Sequence, residues 1–120
     1  MEVAELELFN GTATAQQVFA YQQRVGSINF AAVTTRPDVS RASSKLAEFL
    51  TNPSPSHLKA ADRVISYLNR TRDLAIEYYG TNSRDAHVFV CFSNTAFANN
   101  LLSRKSLDSY LFRLFSRLIN

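Results

Sequence analysis

Two proline-bearing breaks, Thr34-Thr35-Arg36-Pro37-Asp38 and Asn52-Pro53-Ser54-Pro55, restrict the folds open to this sequence more than any other feature. A residue before proline avoids helical backbone angles, whereas proline suits a first helical turn, so each break ends one helix and starts another. Apolar residues around the breaks recur at helical spacing. Val18, Tyr21, Val25 and Ile28 follow one another at three, four and three. Val39, Ala42, Leu46, Phe49 and Leu50 share a face of a second helix that starts at Pro37 and runs to Leu50, and Leu58, Ala61, Ile65 and Leu68 repeat the pattern in a third. Thr12 or Thr14 suits the cap of the first helix, and Ser54 with Pro55 suits the start of the third. Three helices on short connections predict a compact cluster. Gly26-Ser27 lies inside the first, where glycine lowers helix stability by about 1 kcal/mol against alanine, and is assigned to the close approach of a packed neighbour.

After Leu68 the apolar period changes to two. Leu74, Ile76 and Tyr78 alternate with Ala75, Glu77 and Tyr79, and His87-Val88-Phe89-Val90-Cys91-Phe92 is a short apolar run; both predict strands. Gly80 to Asp85 has hairpin-loop chemistry, Ser109 to Phe115 is a third strand candidate, and Asn94 to Asp108 between the last two is polar. The fold class is therefore α+β, a three-helix cluster followed by a short antiparallel sheet. Residues 1–14, acidic and apolar in alternation up to the Asn10-Gly11 turn, form a loose linker; 15–72 are the helical region; 73–120 carry the strands. Open sheet edges predict self-association. Cys91 in its apolar run is expected to be a buried, inert thiol. Phe89, Phe92, Phe97, Tyr110, Phe112 and Phe115 are expected to be core at strand spacing, rather than a stacking platform for bases. His57 and His87 are isolated from other metal-ligand residues, and His57 behind a helix start reads as a surface or satisfied structural side chain.

The 120 residues suit one modest domain, 46% apolar and 19% charged, with no run approaching a membrane span. Acids at Glu2, Glu5 and Glu7 replace the basic start of a targeting peptide, so the expected location is intracellular, cytoplasmic or nuclear, and not secreted. One cysteine allows no internal disulfide. The formal charge of +3 permits contact with nucleic acid without demanding it, and the last third, with Arg84, Arg104, Lys105, Arg113 and Arg117, is the more basic part. No glycine-rich phosphate loop and no nucleophile–base arrangement is present. No cofactor is implied.

Five short motifs stand in order within this framework: Val25-Gly26-Ser27, Thr35-Arg36-Pro37-Asp38, Asn52-Pro53-Ser54-Pro55 with His57, Ala60-Ala61-Asp62-Arg63, and Tyr67-Leu68 leading to Thr71 and Tyr78. Together they resemble the Pol polyprotein of copia-type long-terminal-repeat retrotransposons, where the reverse transcriptase gives way to ribonuclease H. The resemblance implies a truncated fragment spanning that connection and a partial ribonuclease H-like sheet. Ribonuclease H chemistry uses carboxylates to hold two metal ions. The family has its first such aspartate where this chain has Asn94, its other carboxylates fall beyond Asn120, and the polymerase aspartates fall upstream of Met1. The chain is therefore expected not to be an enzyme. Ser109 and Ser116-Arg117 stand where the family commonly has glycines, a loss that costs stability if those turns need positive backbone angles. The region after the polymerase palm cradles a primer–template duplex in such enzymes, so the resemblance implies that Arg36, Lys59, Arg63, Arg70 and Arg72 meet the phosphates of an RNA–DNA duplex. The alternative is that Arg36 bonds the helix corner and Arg63 pairs with a neighbouring acid. Three functions remain open: a non-catalytic remnant, a domesticated duplex-binding module, and a protein-interaction or self-associating domain.

Overall fold

Thr14 starts the first helix in the computed structural model of this chain, which describes residues 6–77, 89–98, 103–114 and 117–119. Its hydroxyl accepts from the backbone of Gln17, whose side chain reaches back to the Thr14 amide at 2.9 Å, so two of the amides left over at a helix start are satisfied reciprocally. Helix α1 runs Ala15–Thr34 and buries Tyr21, Val25, Ile28 and Ala32 on the expected stripe. The corner at Pro37 forms as a 3-10 turn, Pro37–Val39, that leads into α2, Ser40–Ala47; the chain then turns through Leu50 rather than continuing as helix. Ser54 caps α3, Pro55–Arg70, with Pro55 in its first turn. The chain divides into two units, Met1–Ala75 and Ile76–Asn120.

The core of the helical unit joins the α1 stripe to Val39, Ala42, Leu46, Phe49, Ala61 and Val64. Of the expected row of α3, Ala61 is buried and Leu58 and Leu68 pack against the core, while Ile65 is exposed and His57 and Val64 are buried beside them. The Tyr21 hydroxyl, buried, donates to the carbonyl of Leu46 at 2.7 Å and so satisfies an acceptor in the last turn of α2. Burial pushes the Tyr21 phenol up to about 12, which keeps it a donor at any ordinary pH.

His57 takes the place usually held by Glu or Gln in a capping box. Its Nδ1 accepts from the Ser54 amide at 2.9 Å while its own amide donates to the Ser54 hydroxyl. An accepting Nδ1 carries no proton, so Nε2 carries it and donates to the carbonyl of Glu7 at 2.9 Å. The ring is fully buried and stacks on Phe49 at 4.0 Å between centroids. Asn52 adds a second clamp on the N-terminal segment: its Oδ1 accepts from Ala13 N, and its Nδ2 donates to the carbonyls of Gly11 and Phe9. The described part of the expected linker, residues 6–14, is thus bonded to the α2–α3 turn and the start of α3, and Leu6 packs against the core.

Gly26 corrects the sequence reading. A Cβ built there meets nothing within 4 Å, so no element of the described fold approaches it.

In the second unit, β1 (Val90–Ala96), β2 (Leu107–Leu114) and β3 (Arg117–Ile119) form an antiparallel sheet in that order. Leu74 to Glu77, expected to begin a strand, has no regular structure. The proposed hairpin loop, Gly80 to Asp85, lies outside the described residues, as do His87 and Ser116. Ser109 is an ordinary ladder residue opposite Asn94. Positive backbone angles fall instead at Ala98 (φ 49) and Arg104 (φ 55), on either side of the β1–β2 connection, where a Cβ makes them costly. Cys91 is exposed rather than buried. Phe89, Phe92, Phe97 and Tyr110, expected to be core, are exposed as well, Phe97 at 91%; Phe115 lies outside the described residues.

Two measurements follow from these contacts. Burial lowers the His57 pKa below its ordinary 6.5, a shift that outweighs the opposing bond to Glu7. A base with a depressed folded pKa binds more protons when unfolded, so its share of stability is complete above about 6.5 and falls away as pH drops through the folded value. Denaturant midpoints taken between pH 7.5 and 5 should fall, and His57→Gln, which keeps the reach back to Ser54 without titrating, should flatten that part of the profile. Gly26→Ala should raise stability by about 1 kcal/mol in the same measurement, because the position is helical and open.

Candidate nucleic-acid interface

The five cations singled out by the sequence separate into one that is internal and four that are external. Arg36 is only 7% exposed. Its Nε and Nη2 hold both carboxylate oxygens of Asp38 at 2.9 and 2.8 Å, and its Nη1 and Nη2 donate to the carbonyl and hydroxyl of Thr71 at 2.8 and 2.7 Å. The guanidinium also lies 5.5 Å from the centre of the Tyr67 ring, and the Tyr67 hydroxyl donates to Asp38 at 2.9 Å. This is a bidentate ion pair lodged against the C-terminal end of α3, where a cation is favoured by the helix dipole. The hydrogen bond to Asp38 raises the Arg36 pKa further, and the bond from Arg36 holds the Asp38 carboxyl below its usual 3.8. The contribution of that carboxylate is present above about 3.8 and is lost as pH falls through its folded value. Arg36 therefore leaves the set of phosphate contacts: its donors are turned inward to fasten the α1–α2 corner to the end of α3.

Lys59, Arg63 and Arg70 stand on α3 and Arg72 just beyond it, all exposed. At about 100° per residue, Lys59, Arg63 and Arg70 fall within about 40° of one another, and at 1.5 Å per residue they span about 16 Å. Asp62, next to Arg63 in sequence, is engaged elsewhere: the Arg24 Nε bonds it at 2.6 Å from α1. The acid expected to pair with Arg63 is thereby drawn to the neighbouring helix. Among the described residues no ion pair forms to Lys59, Arg63, Arg70 or Arg72, so one face of α3 presents a row of cations.

Asn94 lies mid-strand in β1 opposite Ser109, whose hydroxyl donates to the Asn94 carbonyl at 3.3 Å. Asp108, the remaining acid downstream, pairs with Thr95 in the same register. Neighbours along a strand point to opposite faces, so Asn94 and Asp108 lie on opposite sides of the sheet. Among the described residues no group of three or more His, Cys, Asp or Glu side chains could hold a metal ion. None of the helices among the described residues is long and apolar enough to cross a membrane. The outer edge of β1 has no paired strand among the described residues.

Sequence similarity points the same way as the motifs. The chain is 36% identical over 94 residues to the secreted RxLR effector protein 161 of Plasmopara viticola, covering 78% of this chain and 64% of that protein. It is 41% identical over 63 residues to a putative transposon Ty5-1 protein of Saccharomyces cerevisiae, covering 52% of this chain and 20% of the yeast protein. It is 30% identical over 92 residues to the retrovirus-related Pol polyprotein from transposon TNT 1-94 of Nicotiana tabacum, covering 77% of this chain and 7% of the polyprotein. The chain is homologous to retrotransposon Pol-polyprotein-like sequences. It spans less than two thirds of the length of each of these three relatives. No family model matches the sequence and no solved structure matches it.

Of the motif residues, Val25, Arg36, Ser54, His57 and Ala61 are buried, while Gly26, Pro37, Pro55, Asp62 and Arg63 are exposed. Sequence reasoning missed the fastening made by Thr71, thirty-five positions from Arg36, and the role of Asn52; the signal for the latter was an amide beside a proline turn. Arg36→Ala should lower the stability of the chain by about 2–3 kcal/mol, since hydrogen bonds to charged groups are lost and Asp38 keeps its charge. Arg63→Ala should change it by less than about 0.5 kcal/mol, as an exposed substitution does, and chemical denaturation of both variants checks the contrast.

Proposed function

We propose that this chain is a non-catalytic segment of a copia-type Pol polyprotein, corresponding to the connection between reverse transcriptase and ribonuclease H. The homology to Pol-like sequences supports the origin. The observation that carries the absence of hydrolysis is the register of β1 and β2: Asn94 supplies no charge, and Asp108 faces away from it. Two-metal cleavage needs carboxylates converging on one site, and these two side chains do not converge.

A second reading is favoured by the cation row on α3. In it the helical unit keeps sequence-independent contact with an RNA–DNA duplex through Lys59, Arg63, Arg70 and Arg72, while Arg36 holds the fold. Such binding is driven by counterion release and is steeply salt-dependent. The Plasmopara viticola relative is named as a secreted effector rather than as a polyprotein, which supports a unit of this kind being used outside a polyprotein.

Titration of the chain against a labelled RNA–DNA hybrid, with magnesium present and the product run on a gel, tests both readings. Binding without cleavage is the expected result, with the logarithm of affinity falling about 3–4 units per logarithmic unit of salt if all four cations meet phosphates. Charge reversal at Lys59, Arg63 and Arg70 should abolish it. Absence of binding at low salt removes the duplex reading and leaves the non-catalytic segment; cleavage that tracks the protein overturns the argument from Asn94.

A further inference from the structure

The N-terminal segment carries a reactive dipeptide at a point where the fold leaves it free to react. Asn10 is the only asparagine of the sequence followed by glycine. An asparagine carboxamide can cyclise onto the backbone nitrogen of the next residue, and the step is slow where a Cβ on that residue crowds the approach or its N–H is tied in a hydrogen bond. Elsewhere among the described residues these obstacles stand. Asn29 and Asn69 lie in helices ahead of Phe30 and Arg70, Asn94 lies in the β1 ladder ahead of Thr95, and Asn52 precedes Pro53, which has no N–H. Asn10 and Gly11 meet none of them. Both are exposed and stand in a bend, outside helix and sheet. Among the described residues nothing bonds the Asn10 carboxamide or the Gly11 N–H.

The same segment is held on both sides of this dipeptide. His57 Nε2 donates to the carbonyl of Glu7, and Leu6 packs against the core. Asn52 Nδ2 donates to the carbonyls of Phe9 and Gly11 at 3.4 and 2.9 Å, and its Oδ1 accepts from Ala13 N at 2.8 Å. One side-chain amide thus gauges the main chain from Phe9 to Ala13. A Cβ built on Gly11 would stand 2.5 Å from the Phe9 ring, so the glycine that makes the dipeptide reactive also lets Phe9 fold over the segment.

We propose that Asn10 is a site of self-modification whose product releases the N-terminal segment from Asn52. The Gly11 nitrogen, its proton passing to water, attacks Cγ of Asn10; the Cγ–Nδ2 bond breaks, ammonia leaves and a cyclic imide closes. Water then opens the ring. Cleavage between Cγ and the Gly11 nitrogen leaves an ordinary aspartate, while cleavage between that nitrogen and the main-chain carbonyl leaves isoaspartate, whose main chain runs through Cβ and Cγ. Water is consumed and ammonia released, with no oxidant or cofactor. The isoaspartate form has an extra main-chain carbon between Phe9 and Gly11, so their carbonyls no longer converge on Asn52 Nδ2 and Ala13 is drawn away from Oδ1. The cap made by Ser54 and His57 lies outside the altered stretch and keeps α3 in place.

Ageing of the whole folded chain in mildly alkaline buffer, followed by peptide mapping, tests this. The peptide that holds residue 10 should change in mass by the addition of water and the loss of ammonia, and should become a substrate for an isoaspartyl methyltransferase. Asn10→Gln, whose longer side chain closes a less favourable ring, should lose the product. In the isoaspartate form the Ala13 N–H should exchange with solvent about tenfold or more faster than in the fresh chain, because its bond to Asn52 is gone. Asn10→Asp carries the charge without the extra carbon and should keep Ala13 protected. An aged chain in which Asn10 stays intact overturns the proposal. So does an isoaspartate form in which Ala13 is as protected as before, or an Asn10→Asp variant that exposes it equally, which would assign the release to charge.

Discussion

One neutral imidazole ties the helical unit together. His57 receives a backbone amide at Nδ1, gives a proton to the carbonyl of Glu7 from Nε2, and lies flat against Phe49. The first of these contacts demands the uncharged ring with its proton on Nε2. The start of α3, the end of the α2 turn and the N-terminal segment therefore share one chemical condition. Arg36 performs the corresponding task at the far end of α3, with the opposite chemistry: a permanent charge, a bidentate acid, and a helix terminus that welcomes a cation. The helix that carries the candidate interface is held at both ends by buried polar groups, which keeps its exposed cations on a fixed line.

The helical half was legible because its signals are local. Proline corners, Thr14 and Ser54 as caps, and the three–four spacing of Tyr21, Val25 and Ile28 are each decided within a few residues. What escaped depended on distant partners or on unusual substitutions. His57 hid a capping box because histidine is a rare choice at that position, and Val64 rather than Ile65 is the residue buried one turn after Ala61. Arg36 could be assigned to its corner from Asp38 two residues on, but its hold on Thr71 required the fold. Gly26 was read as a packing notch, and it is one only if the neighbour comes from outside the described fold.

The sheet was less legible for a different reason. Alternation predicts which residues share a face, and the register agrees: Phe92 lies opposite Leu111, and Cys91 opposite Phe112. Burial, however, depends on something covering that face, and strand periodicity carries no information about the cover. Apolar residues on both sides of β1 and β2 remain exposed among the described residues, as Phe92 and Tyr110 show. The candidate site shared this limit. The row of Lys59, Arg63 and Arg70 was visible as a helical face, but that Asp62 turns away to Arg24 was not.

The pairing of β1 with β2 also limits what a change of charge in the sheet can do. An aspartate at position 94 would set its carboxylate on the face of the sheet opposite Asp108, because successive side chains of a strand alternate. The plane of the sheet would separate the two acids, so they could not share one cation. The register, rather than the number of acids, decides which side chains of this unit can act together.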